Sequence, residues 1–397
     1  MFKVSTATQF SFFLVFYEIA SYLSNDAYLP AMPGIAYDLF TTEKLVLLTF
    51  TAWFLGSVIV QPFLGPLSDR YGRRPILLIG GIFFILSNLL CMLATNITFL
   101  IFARLMQGMT VPSMIIAGYA AIHESFEREK AIQILARMNT ITIIAPALGP
   151  LLGALILSFS HWRSIFILLA VWGGLAIILL FFKMPETLPF EKREKSLHIK
   201  NILRQYQTVI SNATFMRYLL TACFLVGGLI VWMVAGTFLV TQTFGHSVIY
   251  FGCAQAIIFG CFIIGTTLVK KYMKNDNIHQ FITTGVLCSI AGGIIASSLG
   301  YVFPMFLYGM LIAIMLATLG AGLCFPVLVR LAVESSEAPM GIRMTIVSGT
   351  QMASVVLCSS LMSTFYNDTL LSLGLIVLLL AVAAFFIKPH RSSIDNS

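Results

Sequence analysis

Long apolar segments separated by short polar ones constrain the fold of this chain more than any other feature. Charged residues make up only 10% of the sequence, against about 25% in soluble proteins. Alternating ten-residue runs, which a membrane β-barrel requires, are not visible. The sequence therefore predicts an all-α integral membrane protein. Twelve segments have the roughly 20 residues that a helix needs to cross a bilayer: they lie near 10–32, 46–66, 76–95, 98–121, 132–158, 164–183, 217–241, 248–269, 280–299, 303–329, 342–365 and 369–388.

The positions of Lys and Arg predict the orientation of these twelve spans. When both termini are placed in the cytoplasm, all but three of the 24 basic residues fall in cytoplasmic stretches. The exceptions are Lys44 and Arg163 in outer loops and Arg104 inside a span. This is the positive-inside pattern, so the net charge of +8 reflects membrane topology rather than a nucleic-acid partner. The first segment is expected to stay as a helix, because no cleavage site for a signal peptide closes it.

The longest cytoplasmic stretch divides the predicted spans into two sets of six. It is charged and contains two prolines near its start. A weak repeat supports the division, because GPLSDRYGRR from Gly65 is echoed by GTTLVKKYMK from Gly265. Two parallel halves are typical of one large class of secondary transporters. The predicted organisation is an N-terminal six-helix bundle at 1–183, a cytoplasmic linker at 184–216, a C-terminal six-helix bundle at 217–389 and a cytoplasmic tail at 390–397.

Two carboxylates in the first span carry the strongest functional signal. Glu18, Ser21, Tyr22, Asn25 and Asp26 are spaced to lie on one face of a helix. An Asp at the centre of a membrane helix costs about 2.5–3.5 kcal/mol. One interpretation places these acids in water at the outer interface. The other makes them proton carriers, because a carboxylate held away from water retains a proton more readily.

The fourth span holds the basic residue that lies within the membrane. Arg104, Gln107 and Tyr119 are predicted to share roughly one helix face. Arg104 could snorkel or satisfy helix carbonyls, or it could bias a nearby carboxylate. All three intramembrane charges lie in the first half, which predicts proton handling there, while the second half can still line a substrate cavity. The seven cysteines and six histidines show no metal-ligand spacing, so neither a metal nor another cofactor is expected.

Two further stretches contain glycine and proline in meaningful positions. GPLSDRYGRRP begins at Gly65. A role in membrane topology alone would explain its arginines but not its glycines or its aspartate. APALGPLLG begins at Ala145 and predicts a kinked, closely packed helix, which could be a hinge or simply a packing feature. The residues singled out are Gly65, Asp69, Arg70, Gly72, Arg73 and Arg74 in the first stretch, and Pro146, Gly149, Pro150 and Gly153 in the second.

These two stretches, together with RLMQG at 104–108, YEIASYLSND at 17–26 and GYAAIHESFE at 118–127, resemble the drug/proton antiporters of the major facilitator superfamily, most closely the bacterial MdfA-type multidrug transporters. The resemblance implies that the first stretch is a latch stabilising one state of the transport cycle and that the second is an antiporter motif limiting leak. It further implies proton coupling by Glu18, Asp26, Arg104 and Gln107, and a drug cavity lined by Tyr22, Asn25 and Tyr119.

The sequence and the resemblance together predict a transporter rather than an enzyme. We expect proton-coupled efflux of lipophilic cationic or neutral drugs across the bacterial inner membrane by alternating access. The expected partners are small lipophilic substrates, protons and membrane lipids, with no nucleic acid, and the protein is expected to be a monomer. The main alternative is the same machine exporting a dedicated metabolite such as a siderophore. Three further alternatives are weaker. A proton-coupled importer does not explain the second stretch. A membrane-embedded enzyme needs a catalytic cluster, and a sensor needs an extramembrane domain.

Overall fold

The computed structural model is built from helices joined by short loops, and it describes residues 4–193, 199–273 and 277–389. No strand occurs within these ranges, which confirms the all-α prediction. The predicted cytoplasmic tail at 390–397 lies outside the described residues, as do residues 194–198 of the predicted linker.

The described residues of the first half of the chain form nine α-helices, and two of the breaks between them contain non-α turns. A single 3-10 turn follows α1, and a π-helical turn, Met114–Gly118, separates α6 from α7. The helices are α1 (Val4–Asp26), α2 (Met32–Asp38), α3 (Glu43–Tyr71), α4 (Arg73–Met92), α5 (Ile97–Gly108), the short α6 (Val111–Ser113), α7 (Tyr119–Ser125), α8 (Arg128–Leu157) and α9 (Arg163–Lys183).

Seven more α-helices follow in the part of the second half that the structure describes. A π-helical turn, Leu239–Thr243, extends α11 at its C-terminal end. The helices are α10 (Ile199–Ile210), α11 (Ala213–Phe238), α12 (Val248–Tyr272), α13 (Ile278–Val302), α14 (Leu307–Glu334), α15 (Met340–Phe365) and α16 (Leu370–Ile387).

By length and hydropathy, the described helices give fewer membrane spans than the twelve that the sequence predicts. Ten are long and apolar enough to cross a membrane, and the bent α8 brings the number to eleven. Helix α1, which corresponds to the first predicted span, is not among them. Its polar stripe lowers its hydropathy, and that stripe is also what made it conspicuous in the sequence. The count of twelve therefore stays a prediction.

The chain divides into two compact units. One contains residues 1–42 and 52–198, and the other contains residues 43–51 and 199–397. In the first unit, α1 packs against α8 and α9, while α4 packs against α5 and α9. Phe10, Leu14, Leu77 and Phe84 lie in its apolar core. The polar side chains of α1 are therefore held in an apolar scaffold.

The second unit is a set of closely packed helices with small residues at their contacts. Helix α13 packs against α14 and α16, and α11 packs against the same two helices. At the crossing of α13 and α14, a Cβ on Gly320 would collide with the carbonyl oxygen of Gly285. Small residues let membrane helices approach closely enough for backbone contact, and this unit uses that device.

Candidate functional site

The polar stripe of α1 is buried inside the first unit. Glu18, Ser21, Asn25 and Asp26 are each at most 4% exposed, and Tyr22 is partly buried. Asn25 donates a hydrogen bond from Nδ2 to Oδ1 of Asp26 over 3.2 Å. The structure thus places the predicted acids among protein side chains, where an ionised carboxylate needs partners to offset its desolvation.

Glu18 has one bonded and one unbonded carboxylate oxygen. Tyr119, the first residue of α7, donates its hydroxyl to Oε1 of Glu18 over 2.8 Å. Oε2 of Glu18 is buried and has no hydrogen-bond partner among the described residues. Thr142 of α8 lies close to the hydroxyls of both Tyr22 and Tyr119. These contacts bring Glu18, Tyr22 and Tyr119 together, and Oε2 remains able to hold a proton or accept a bond.

Arg104 joins α5 to the end of α1. It is fully buried and donates from Nη1 to the carbonyl oxygen of Ser24 over 2.8 Å and from Nη2 to Oδ1 of Asn25 over 3.3 Å. Its guanidinium also lies 4.3 Å from the ring centroid of Tyr28, within the range of a cation–π contact. No ion pair joins Arg104 to Glu18 or Asp26 in the described part of the chain. The positive charge is therefore solvated by dipoles and a ring rather than by a carboxylate.

Gln107 extends this network to α4. Nη1 of Arg104 donates to Oε1 of Gln107, and Nε2 of Gln107 donates to Oδ1 of Asn88 over 2.8 Å. Asn88 in turn donates to the carbonyl oxygen of Phe84 over 2.8 Å. Sequence reasoning missed Asn88, although a lone Asn in an apolar span is itself a signal, because polar groups inside a membrane need partners.

The fourth predicted span corresponds to Ile97–Ser125, although this segment is not one continuous α-helix. Helix α5 ends at Gly108, Pro112 lies in the short α6, and the π-helical turn follows. Proline cannot donate a backbone hydrogen bond and disturbs the preceding helical turn, and π-helical turns are frequent at functional sites. The interruption changes the helical register between the network around Arg104 and the contact that Tyr119 makes with Glu18.

The glycines of the predicted antiporter motif lie against the end of α1. A Cβ on Gly149 would lie 2.5 Å from Cβ of Asp26, and one on Gly153 would collide with the carbonyl oxygen of Ala27. Helix α8 is bent by 46° between its two parts, which meet at residue 143. The bend lies just before Pro146, which cannot donate to the carbonyl oxygen of Thr142. Pro150 lies one turn further along the same helix.

The predicted loop latch contains an ion-pair cluster centred on Arg73. Its guanidinium lies 2.6 Å from Oδ1 of Asp69 and 3.0 Å from Oε1 of Glu124. Gly72 allows the chain to turn between α3 and α4, because its φ of 103° is disfavoured for other residues. The backbone N–H of Arg73 donates to Oε1 of Glu186 over 3.0 Å. Sequence reasoning did not connect Glu124 or Glu186 to this loop, since both are distant in the chain.

The remaining residues of that loop stay outside the cluster. Arg74 donates to the carbonyl oxygen of Phe181 over 2.7 Å, and its guanidinium lies over the Phe181 ring. Arg70 is exposed and lies over the ring of Tyr71. Gly65 has open space where a Cβ would be. The structure thus joins Asp69, Gly72 and Arg73, and it does not bring Gly65, Arg70 and Arg74 to the same contacts.

The arrangement in the first unit suits the movement of protons and cations more than bond-breaking chemistry. Within the described residues, no group of three His, Cys, Asp or Glu side chains is placed to hold a metal ion. Two buried carboxylates lie on one helix, with a buried guanidinium near the end of that helix. Groups of this kind inside a membrane helix commonly mark ion pathways and proton relays.

Comparisons with known proteins identify relatives that cover most of the chain. The sequence is 34% identical over 336 residues to the multidrug transporter MdfA of Yersinia pestis (strain Angola), which covers 84% of this chain and 81% of that protein. It is 29% identical over 337 residues to the multidrug resistance protein MdtM of Salmonella typhimurium, which covers 85% of this chain and 81% of the relative. The predicted resemblance is confirmed by these matches.

Solved structures show the same fold. The human organic anion transporter MFSD10 superposes with a TM-score of 0.68 at 16% identity, covering 96% of this chain and 99% of that one. A D-xylose-proton symporter gives a TM-score of 0.70 at 15% identity, covering 96% and 98%. At these identities the likeness concerns the fold alone.

The family model for the Major Facilitator Superfamily matches residues 14–339. The prediction of a multi-pass membrane transporter rather than an enzyme is confirmed by this match and by the relatives. The chain belongs to the major facilitator superfamily.

Proposed function

We propose that this protein exports lipophilic cationic or neutral drugs in exchange for protons, across the bacterial inner membrane and by alternating access. Its relatives are named as multidrug transporters, which supports drug efflux at the level of the family. The observation that carries the proton coupling is Glu18, a buried carboxylate with one oxygen bonded to Tyr119 and the other unbonded. Such a group can bind and release a proton without breaking the contact that positions it.

Asp26 and Arg104 are the second part of the proposal. Asp26 accepts a hydrogen bond from Asn25, and Arg104 donates to the same Asn25. Protonation of Asp26 or arrival of a cationic substrate would change the charge beside this shared amide. Arg104 and Gln107 would then transmit the change to α4 and α5 through their hydrogen bonds. Tyr22, Asn25 and Tyr119 would line the drug cavity.

The proposal includes the arrangement expected from the sequence. It has twelve spans, both termini in the cytoplasm, and the two six-helix bundles at 1–183 and 217–389 joined by the linker at 184–216. The loop latch around Arg73 would stabilise one state of the cycle, and the bent α8 would act at the hinge. The protein would work as a monomer among membrane lipids. A potential of 100 mV supplies about 2.3 kcal/mol for each net charge moved.

Everted membrane vesicles with a preformed pH gradient test the proposal. Lipophilic cations and neutral drugs are added, and the gradient is followed by a fluorescent pH probe. The wild type is compared with Glu18→Gln and Asp26→Asn, and Glu334→Gln serves as a control because Glu334 forms an exposed pair with Arg330. We expect drug-triggered proton movement that is lost or becomes drug-selective in the first two variants and is unchanged in the control.

Two other outcomes would change the proposal. A response that persists in both α1 variants would remove the proton site from α1. A folded wild-type protein that responds to no drug would favour the dedicated-metabolite alternative, and a growth phenotype tied to one metabolite, such as a siderophore, would support it.

A further inference from the structure

Gln255 and Trp232 are two of the buried polar side chains of the second unit that have no hydrogen-bond partner among the described residues. Gln255 of α12 is fully buried, and neither its Oε1 nor its Nε2 has a hydrogen-bond partner among the described residues. Trp232 of α11 is also fully buried, and its Nε1 is likewise without a partner in that part of the chain. Buried polar groups are nearly always hydrogen-bonded, and each exception requires an explanation.

Among the described residues, the buried hydroxyls of Thr237 and Thr318 also lack a partner, whereas two serines of the same unit show the usual pattern. Ser289 donates to the carbonyl oxygens of Gly285 and Ala317 over 3.0 Å, and Ser297 donates to the carbonyl oxygen of Gly293 over 2.8 Å. These serine hydroxyls are hydrogen-bonded to backbone carbonyl oxygens, so they need no further partner. An amide such as that of Gln255 has two donors and an acceptor, and burying them without hydrogen bonds costs free energy.

Phe251 relates the positions of the two side chains, because it contacts Trp232 and shares a helix with Gln255. The ring centroids of Trp232 and Phe251 are 6.2 Å apart and their planes are tilted by 38°. Phe251 lies one helical turn before Gln255 on α12, which is about 6 Å along the helix axis. The indole of Trp232 lies over Gly236, where a Cβ would be 3.0 Å from Cε2 of the ring. Gly236 therefore holds open the position that the indole occupies.

We propose that Trp232, Phe251 and Gln255 form a substrate subsite in the second unit, which binds the uncharged polar end of an aromatic compound. The Gln255 amide would donate to and accept from the substrate, and Nε1 of Trp232 would donate to an ether, ester or carbonyl oxygen. The Phe251 ring would contact the aromatic part. The three residues carry no charge, so the subsite selects by hydrogen bonding and not by charge. This inference rests on the proposed drug transport.

Two lipophilic cations of different polarity separate this subsite from general drug binding. Tetraphenylphosphonium has no hydrogen-bonding group, whereas rhodamine 6G carries an ester and two N–H groups. Their binding to the purified full-length protein is measured by calorimetry for the wild type, Gln255→Met and Trp232→Phe. We expect rhodamine 6G to bind roughly three- to tenfold more weakly to each variant, which is the loss of one net hydrogen bond. Tetraphenylphosphonium binding is expected to change less than about twofold, because it never used that bond.

A stability measurement and a control variant complete the test. The apo Gln255→Met protein is expected to unfold at the same or a higher temperature, since an unpartnered buried amide is replaced by an apolar chain. Ser297→Ala, which removes a hydroxyl bonded only to its own helix, is expected to bind both probes as the wild type does.

Four results would overturn the inference. Equal weakening of both probes, or no change in either, would show that these residues do not hydrogen bond to substrate. Failure of Gln255→Met to fold would show that the amide has a structural role. A wild-type protein that binds neither probe would refute drug binding itself, whereas wild-type binding of both probes without any variant effect would refute only the subsite.

Discussion

Gly153 tests how closely α8 packs against the end of α1. In the structure, a Cβ at this position would collide with the carbonyl oxygen of Ala27 and would lie 2.8 Å from its carbonyl carbon and 3.0 Å from its Cα. These are backbone atoms, so they cannot rotate away as the end of a side chain could. Gly153→Ala must therefore separate the two segments or distort one of them.

The expected magnitude follows from two opposing effects. Alanine is about 1 kcal/mol more favourable than glycine in a helix, whereas forcing an extra group into a packed interior costs about 1–3 kcal/mol. Because the obstruction is backbone, we expect the upper part of that range and a net loss of about 1–2 kcal/mol in the free energy of unfolding. Gly174 of α9 is a matched control. Its nearest neighbour would be Cδ1 of Ile85 at 3.8 Å, so Gly174→Ala should stabilise the protein by up to about 1 kcal/mol.

The two variants are compared by heating the purified proteins in detergent and measuring the fraction that stays monodisperse on size-exclusion chromatography. The two stabilities should move in opposite directions. Drug-triggered proton movement in vesicles should fall for Gly153→Ala, because Ala27 directly follows Asp26 in the chain, and it should be unchanged for Gly174→Ala. A Gly153→Ala protein as stable as the wild type would show that α8 does not approach α1 as described. Equal losses in both variants would point to a general intolerance of alanine.

Two further substitutions test the buried network and the loop. Arg104→Lys should abolish drug-triggered proton movement and lower the free energy of unfolding by about 1–3 kcal/mol. An ammonium group cannot reach the acceptors on Ser24 and Asn25 together, so it leaves one of them unpaired. Wild-type activity of this variant in the vesicle assay would show that the forked guanidinium is not needed. Gly72→Ala should lower stability in detergent by about 1–3 kcal/mol, because the positive φ and extended ψ of Gly72 are essentially confined to glycine. The new Cβ would also collide with the carboxylate of Glu186. An unchanged unfolding temperature would refute that backbone conformation.

The parts of the site that the sequence predicted well are those set by local periodicity. Glu18, Asn25 and Asp26 share a helix and are buried because a polar stripe among apolar residues requires a protein interior rather than lipid. The glycines of the stretch from Gly65 are also a local signal, since glycine allows a sharp change of direction, and the structure places such a turn at Gly72. Neither inference needed knowledge of what lies across the bundle.

The parts that the sequence did not predict depend on partners distant in the chain or on backbone register. Asn88 and Tyr28 contact the Arg104 network through the packing of different helices, and no spacing rule connects positions so far apart. The π-helical turn before Tyr119 had a sequence signal in Pro112, but a proline does not specify whether the helix kinks, unwinds or changes register. Glu186 lies in the predicted linker, and it accepts a hydrogen bond from the backbone N–H of the first residue of α4.

The difference between the surroundings of the two acids accounts for why one helix would carry both. Glu18 is bonded to a tyrosine hydroxyl and keeps a free oxygen, whereas Asp26 is bonded to an amide that also contacts Arg104. The formal charge of Glu18, Asp26 and Arg104 together is negative when both acids are ionised, zero when one carries a proton and positive when both do. In the negative state a bound cation can balance the charge of the site. In the neutral state the site needs no such balance and can hold an uncharged compound. One pair of carboxylates with one guanidinium is therefore sufficient for a transporter that exchanges protons against both classes of substrate.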